Sequence, residues 1–240
     1  MKKIKYNYKK KKIKPIHLFP SLFTYANALC GFYSIVFSIK GDFYNAGILI
    51  IIAILMDGFD GRSARFFEIS NEFGKELDSL ADLVSFGVAP AILVYLSKLY
   101  LFGTTGMLIA FLLIFGGISR LARFNVINTS SYFLGLPIPV SAMLVSFIFI
   151  ADINFSKYIF SYIVIILCIL MISNIKYPSF KQLKIKKQKQ IIVIFALFLI
   201  VFFANVFFDI KKLLILPPVF YILFGPFLET QKYKKYAKSN

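Results

Sequence analysis

The sequence predicts an all-α polytopic membrane protein of about eight transmembrane helices, with both termini in the cytoplasm. Three observations carry that prediction. Hydrophobic residues fill 59% of the 240 positions and charged residues only 16%, against about 45–50% and about 25% in soluble domains. The apolar residues fall in serial runs close to the length that crosses a bilayer. The 28 lysines and arginines collect at the two ends and between alternate runs.

The runs follow in order as Ser21–Ile39, Tyr44–Ala64, Gly74–Leu96, Gly103–Ala122, Leu136–Ala151, Phe155–Ser173, Ile191–Phe208 and Leu213–Leu228. Polar, glycine and proline clusters separate them: Lys40-Gly41-Asp42, Asn71-Glu72, Lys98, Asn125 to Ser131, Asp152-Ile153-Asn154, Lys176 to Gln190, and Asp209 to Lys212. The fifth run is short because Pro137 and Pro139 precede it. With the N-terminus inside, 23 lysines and arginines face the cytoplasm and 5 face out. That asymmetry sets the orientation. The expected location is therefore the cell membrane, multi-pass, and no cleavable signal peptide is expected ahead of the first run.

The net charge of +17 does not indicate nucleic acid. The basic residues form blocks beside apolar runs, as an anionic lipid surface favours, and no continuous basic face with interleaved aromatics is visible. Cys30 and Cys168 both sit inside apolar runs, which excludes a disulfide scaffold. His17, the lone histidine, reads as an interfacial residue. The organisation expected is a basic tail (residues 1–14), a catalytic set of helices (15–150), further helices (151–230) and a second basic tail (231–240).

Charged groups inside a span cost a few kcal/mol and default to a functional reading. Asp57 and Asp60 lie near the inner end of the second run, and Asp78 and Asp82 near that of the third. Spacings of three and four place each pair on one helix face. If the two helices run antiparallel about the turn near Ile69-Ser70, Asp57 lies level with Asp82 and Asp60 with Asp78. Four carboxylates then converge about 10 Å below the mouth, at 1.5 Å of rise per residue. Repulsion would keep most of them protonated unless cations neutralise them. Hard oxygen donors favour Mg²⁺ or Mn²⁺, and four can hold two such ions, an arrangement suited to phosphoryl chemistry.

Other readings of the same residues stay open at this level. The aspartates would serve structure alone if they paired with Arg62, Arg65 or Lys75, or serve as the ion site of a cation-coupled transporter. Gly58, Gly61 and Ala64 bare one side of the second helix, for a ligand or for plain helix packing. Arg65, one turn past Gly61, is suitably placed for a diphosphate. Thr24 and Asn27 share a face near the inner end of the first run and would bond a ligand or only helix backbone.

The segment Asp57-Gly58-Phe59-Asp60-Gly61-Arg62-Ser63-Ala64-Arg65, then Gly74, Asp78 and Asp82 at their spacings, is similar to the signature of the CDP-alcohol phosphatidyltransferases. Members of that family are integral membrane enzymes that displace CMP from a CDP-linked lipid or alcohol with an incoming hydroxyl. The resemblance implies that Asp57, Asp60 and Asp78 bind metal, and that Asp82 contacts a second ion and acts as general base. It further implies that Gly61, Ala64 and Arg65 border the CDP moiety and that Gly74 eases helix packing. Thr24-Tyr25-Ala26-Asn27 and Gly31 resemble the family's nucleotide-contacting patch.

Ser119-Arg120-Leu121-Ala122-Arg123-Phe124-Asn125, the segment Phe133 to Pro139, Ser141-Ala142 and His17 to Ser21 resemble the serine-using branch of the family. Arg120, Arg123 and Asn125 are then expected around the acceptor, with Ser85 and Ser141 nearby. Two cytoplasmic anchoring arginines would look the same. The expected substrates are CDP-diacylglycerol or its ether analogue and L-serine, and the family implies a homodimer. Glycerol phosphate or an inositol phosphate is the rival acceptor, and would need a larger cationic pocket. A transporter would need cavities on both faces, whereas the polar residues cluster on the cytoplasmic side.

Overall fold

The computed structural model describes residues 18–66, 72–126, 132–178 and 211–237; the side chains of 18–21, 60–66, 72 and 228–237 lie outside that description, as do His17 and the expected run Ile191–Phe208. The chain is mostly helical. Three helical stretches, Leu22–Ile39, Phe73–Ser97 and Thr104–Val126, are long and apolar enough to cross a membrane, and Phe43–Phe59, Ile138–Ile150 and Lys157–Ile172 are shorter apolar helices.

Helix α1 spans Leu18–Ile39 and α2 spans Phe43–Phe66. The break between them is made by Gly41 at φ +79°, a conformation glycine adopts without a Cβ penalty. Asp42 then caps α2, accepting from the Asn45 amide at 3.1 Å and its Nδ2 at 2.7 Å. The expected third span is one helical path with a defect: α3 covers Glu72–Asp82, a π-helical segment Leu83–Val88, and α4 Ala89–Ser97. Pro90 supplies a cause. Its ring has no N–H and clashes with the carbonyl four residues back, so the preceding turn widens. The Ala89 amide accordingly donates to the Val84 carbonyl, five residues back.

After a 3₁₀ turn at Leu99–Phe102, α5 runs Thr104–Val126, followed by α6 (Ile138–Ile150) and α7 (Lys157–Ile172). Ser156 caps α7 through the Ile159 amide at 3.4 Å. The expectation of a purely α fold needs one correction. Strands β1 (Tyr132–Leu134) and β2 (Lys176–Pro178) form an antiparallel ribbon in which Phe133 faces Tyr177. Gly135, at φ +77°, turns the chain from this ribbon toward α6, and its amide donates to the Ile175 carbonyl at 2.9 Å. A second 3₁₀ turn, Lys211–Ile215, leads into α8, Leu216–Ala237.

Helix α1 packs on α2, α3, the π segment and α4, α2 packs on α6, and α5 packs on α7. The core between them includes Phe86, Leu93, Val94, Ile138, Leu167 and Met171. Cys168 is buried against Gly116 and Cys30 is half-buried; both are free thiols. The closest approach near the site is at Gly31, where an added Cβ would sit 2.7 Å from the Ser85 Cα and 3.0 Å from its Cβ. Gly31→Ala is therefore expected to cost about 1–3 kcal/mol through overpacking, measured as a lower unfolding midpoint in detergent. Gly74 has no such neighbour: a Cβ there meets nothing within 4 Å among the described residues, so the packing role expected for it is not seen.

Candidate active site

The three aspartates with described side chains come together. Asp57, near the end of α2, and Asp78 and Asp82, on α3, each offer an oxygen, and these oxygens lie within 4.8 Å of one another. The level pairing expected of Asp57 and Asp82 is thus met, and Asp78 joins them. Asp60 follows on α2 with Gly61, Ala64 and Arg65; their side chains lie outside the described residues. Among the described residues, a Cβ added at Gly58 would meet nothing within 4 Å.

Helix α1 supplies the support. Asn27 is fully buried, and its Nδ2 donates to Asp82 Oδ1 at 3.1 Å. The Asn27 carbonyl accepts from Ser85 Oγ at 2.8 Å. One α1 residue therefore ties both α3 and the π segment, and Asp82 is held with only 8% of its surface exposed. Thr24, one turn earlier, is also buried. Among the described residues the Asn27 Oδ1 has no hydrogen-bond partner.

The donor set fits a hard divalent cation. At an effective dielectric near 20, two full charges 4.8 Å apart repel by about 3 kcal/mol, so three carboxylates share this space stably only as proton or cation carriers. All the offered donors are oxygens, the ligand type that selects Mg²⁺ or Mn²⁺ over softer metals. The Asn27 oxygen adds a further polar group that no described residue satisfies.

The basic side of the site separates two arginines that the sequence offers as a pair. Arg120, on α5, is 7% exposed and lies within electrostatic reach of Asp82 and Asp57. Its guanidinium sits between Phe124 and Phe133, 5.5 and 5.6 Å from their ring centroids. Among the described residues it donates no hydrogen bond and forms no ion pair. A buried cation whose five donors make no hydrogen bond among the described residues can offer them to an anionic ligand.

Arg123 turns the other way. It donates to the carbonyls of Met171, Ile172 and Ser173 at 3.0, 2.8 and 3.2 Å and to Asn174 Oδ1 at 3.0 Å. Those carbonyls end α7 and lack helical partners, so Arg123 acts as a C-terminal cap. Asn125 donates to Ser79 Oγ at 3.1 Å, its carbonyl accepts from Lys75 Nζ at 3.3 Å, and its buried Oδ1 has no partner among the described residues. Ser141 Oγ donates to the Ile138 carbonyl. Lys75, a candidate partner for the aspartates, is engaged by Asn125 and by the Phe124 ring.

Apolar helices long enough to cross a membrane thus bring a cluster of hard oxygens and a buried guanidinium within electrostatic reach of each other, a site suited to a hard cation and an anion. The CDP-alcohol phosphatidyltransferase family model matches residues 17–172, and the chain belongs to that family. It is a membrane phosphatidyltransferase. It is 39% identical over 197 residues to the CDP-diacylglycerol–serine O-phosphatidyltransferase of Helicobacter pylori, covering 78% of this chain and 83% of that one. It is 42% identical over 172 residues to the archaetidylserine synthase of Methanothermobacter thermautotrophicus, covering 70% and 72%. The Bacillus subtilis CDP-diacylglycerol–serine O-phosphatidyltransferase is 34% identical over 164 residues, covering 68% and 91%.

Proposed function

We propose that the protein moves a phosphatidyl group, or an archaetidyl group in an ether-lipid membrane, from a CDP-linked lipid to the hydroxyl of L-serine and releases CMP. The observation that carries the acceptor is the 39% identity, over most of both chains, to a serine O-phosphatidyltransferase. The buried Arg120 beside the Asp82 carboxylate supports it, because serine has a carboxylate and a hydroxyl only a few bonds apart.

Asp57, Asp60, Asp78 and Asp82 would hold one or two Mg²⁺ or Mn²⁺ ions. Bound there, the ions would neutralise the diphosphate and the charge that develops on the leaving phosphate. Thr24, Asn27, Gly61, Ala64 and Arg65 line the CDP side. Asp82, fixed by Asn27, accepts the proton of the serine hydroxyl as its oxygen bonds to the lipid-side phosphorus. The bond from that phosphorus to the CMP oxygen breaks, and Arg65 steadies the departing CMP. Arg120 holds the serine carboxylate by its planar fork.

In this reading the chain crosses the membrane about eight times, with both tails and the catalytic face in the cytoplasm. Residues 15–150 carry the chemistry, and two copies associate. The test is incubation of purified protein with CDP-diacylglycerol, Mn²⁺ or Mg²⁺, and a panel of acceptors. CMP and a serine phospholipid are expected with L-serine alone. Product from glycerol phosphate or an inositol phosphate, with none from serine, would overturn the acceptor assignment.

A further inference from the structure

Two ring faces bear on the Arg120 guanidinium. Its central carbon lies 5.5 Å from the Phe124 centroid and 5.6 Å from that of Phe133, and the two centroids are 5.9 Å apart, so both rings meet it at once. These distances fall within the reach of cation–π attraction, which strengthens where the cation is buried. Phe124 stands one turn beyond Arg120 on the same helix. Phe133 arrives from β1, whose partner strand β2 lies beyond the residues that the family model matches. The ribbon is pinned around the end of α7, where the Gly135 amide donates to the Ile175 carbonyl at 2.9 Å and the Leu136 amide to the Leu170 carbonyl at 3.0 Å.

Backbone geometry sets the arginine close to the aspartates. Helix α5 crosses the π segment tightly: a Cβ added at Gly117 would lie 3.9 Å from the Gly87 Cα. The short turn Leu99–Phe102 makes α4 and α5 antiparallel, so Arg120, three residues past Gly117, stands level with Val84. Asp82 is two residues from there along its helix, about 3 Å of rise, and the two charges are within electrostatic reach of each other. A buried guanidinium so near a buried carboxylate would ordinarily close on it, because charge-assisted hydrogen bonds are among the strongest a protein makes. Arg120 instead donates no hydrogen bond among the described residues, and Asp82 accepts from Asn27.

We infer that Phe133 is a positioning residue: its ring, delivered by the ribbon, holds the Arg120 guanidinium off Asp82, leaving the arginine to the anionic end of the acceptor and the carboxylate to a cation. The acceptor half of this rests on Arg120 being the acceptor's anion contact; the cation half does not. Without the ring, Arg120 would settle on Asp82 and compete there with the metal, so acceptor and cation binding would weaken together.

The experiment uses wild type, Phe133→Leu, Phe133→Met, Phe133→Tyr, Arg120→Met and the Arg120→Met/Phe133→Leu pair. Two quantities are measured: Mn²⁺ dissociation constants, from the free-ion electron paramagnetic resonance signal without substrates, and KM for serine and for CDP-diacylglycerol. Phe133→Leu and Phe133→Met are expected to weaken Mn²⁺ binding and raise the serine KM about tenfold each, the scale of one charge-assisted hydrogen bond. Phe133→Tyr keeps the ring and should match wild type in both. In the Arg120→Met background, Phe133→Leu should leave Mn²⁺ binding unchanged, since no guanidinium remains to compete. A loosened ribbon alone would weaken Mn²⁺ binding equally with or without Arg120. Unchanged Mn²⁺ binding in Phe133→Leu and Phe133→Met, an equal loss in Phe133→Tyr, or a persistent loss in the double variant would each overturn the inference. If Arg120→Met leaves the serine KM at the wild-type value, the acceptor reading of Arg120 falls, while the Mn²⁺ measurements still decide the role of Phe133.

Discussion

Asp82→Asn is expected to lower the rate of CMP release by about 10²–10⁴-fold, the usual contribution of a positioned general base. The substitution keeps the shape of the side chain and can still bond Asn27, so the helix packing around it should survive. What it loses is the ability to take the serine proton and to contribute charge to a cation. Asp57→Asn and Asp78→Asn remove ligands from the same cluster, whose oxygens lie within 4.8 Å. Their defect is expected to shrink as Mn²⁺ is raised, because a weakened site refills by mass action. That of Asp82→Asn should persist at saturating metal. Steady-state CMP release across a metal titration separates the two behaviours, with the unfolding midpoint in detergent as the control for folding. Full activity of Asp82→Asn would remove the base assignment. Chelation should abolish activity in wild type and readdition restore it.

The cluster of Asp57, Asp78 and Asp82 was legible because helix periodicity fixes part of it: a spacing of four puts Asp78 and Asp82 on one face, and an antiparallel reading of the second and third runs sets that face level with Asp57. The first six apolar runs each coincide with helix among the described residues, and the break at Gly41-Asp42 was legible because one residue supplies the φ and the next the cap. The tie from Asn27 to Asp82 spans 55 residues, and no local pattern announces a contact between first and third spans. The ribbon was hidden because three-residue strands are too short to display a period of two, and α6 and α7 separate them. The π segment left one visible trace, Pro90 in the middle of an apolar run, which marks a defect without saying whether the helix kinks or widens.

The two arginines show what spacing leaves open. Three residues on a helix subtend about 300°, leaving side chains roughly 60° apart. That is close enough to read as one pair and far enough to serve different neighbours. Arg120 turns between Phe124 and Phe133 toward the carboxylates, and Arg123 closes the end of α7. A motif-level comparison treats both as acceptor ligands because it records identity and spacing without direction.

Replacing each arginine in turn should therefore give opposite signatures. Arg120→Lys keeps the charge but loses the planar fork, and is expected to reduce kcat/KM for serine by about 10- to 100-fold, a loss of about 1.5–3 kcal/mol of charge-assisted hydrogen bonding. Arg120→Met should cost more, since no cation is left. Neither should unfold the protein, because Arg120 donates no hydrogen bond among the described residues, and the ring faces beside it pack on a methionine as well. Arg123→Met instead strips donors from three backbone carbonyls and Asn174 at once. It is expected to cost about 1–3 kcal/mol of stability with the serine KM near the wild-type value, as read by thermal unfolding in detergent and by serine titration. If Arg123→Met instead raised the serine KM while leaving the unfolding midpoint in place, Arg123 would be an acceptor contact after all. The α7 carbonyls would then hold it only until substrate arrives, and the guanidinium would have to exchange four protein acceptors for one carboxylate. That exchange gives up more hydrogen bonds than it makes, which is the physical reason for assigning the acceptor to Arg120.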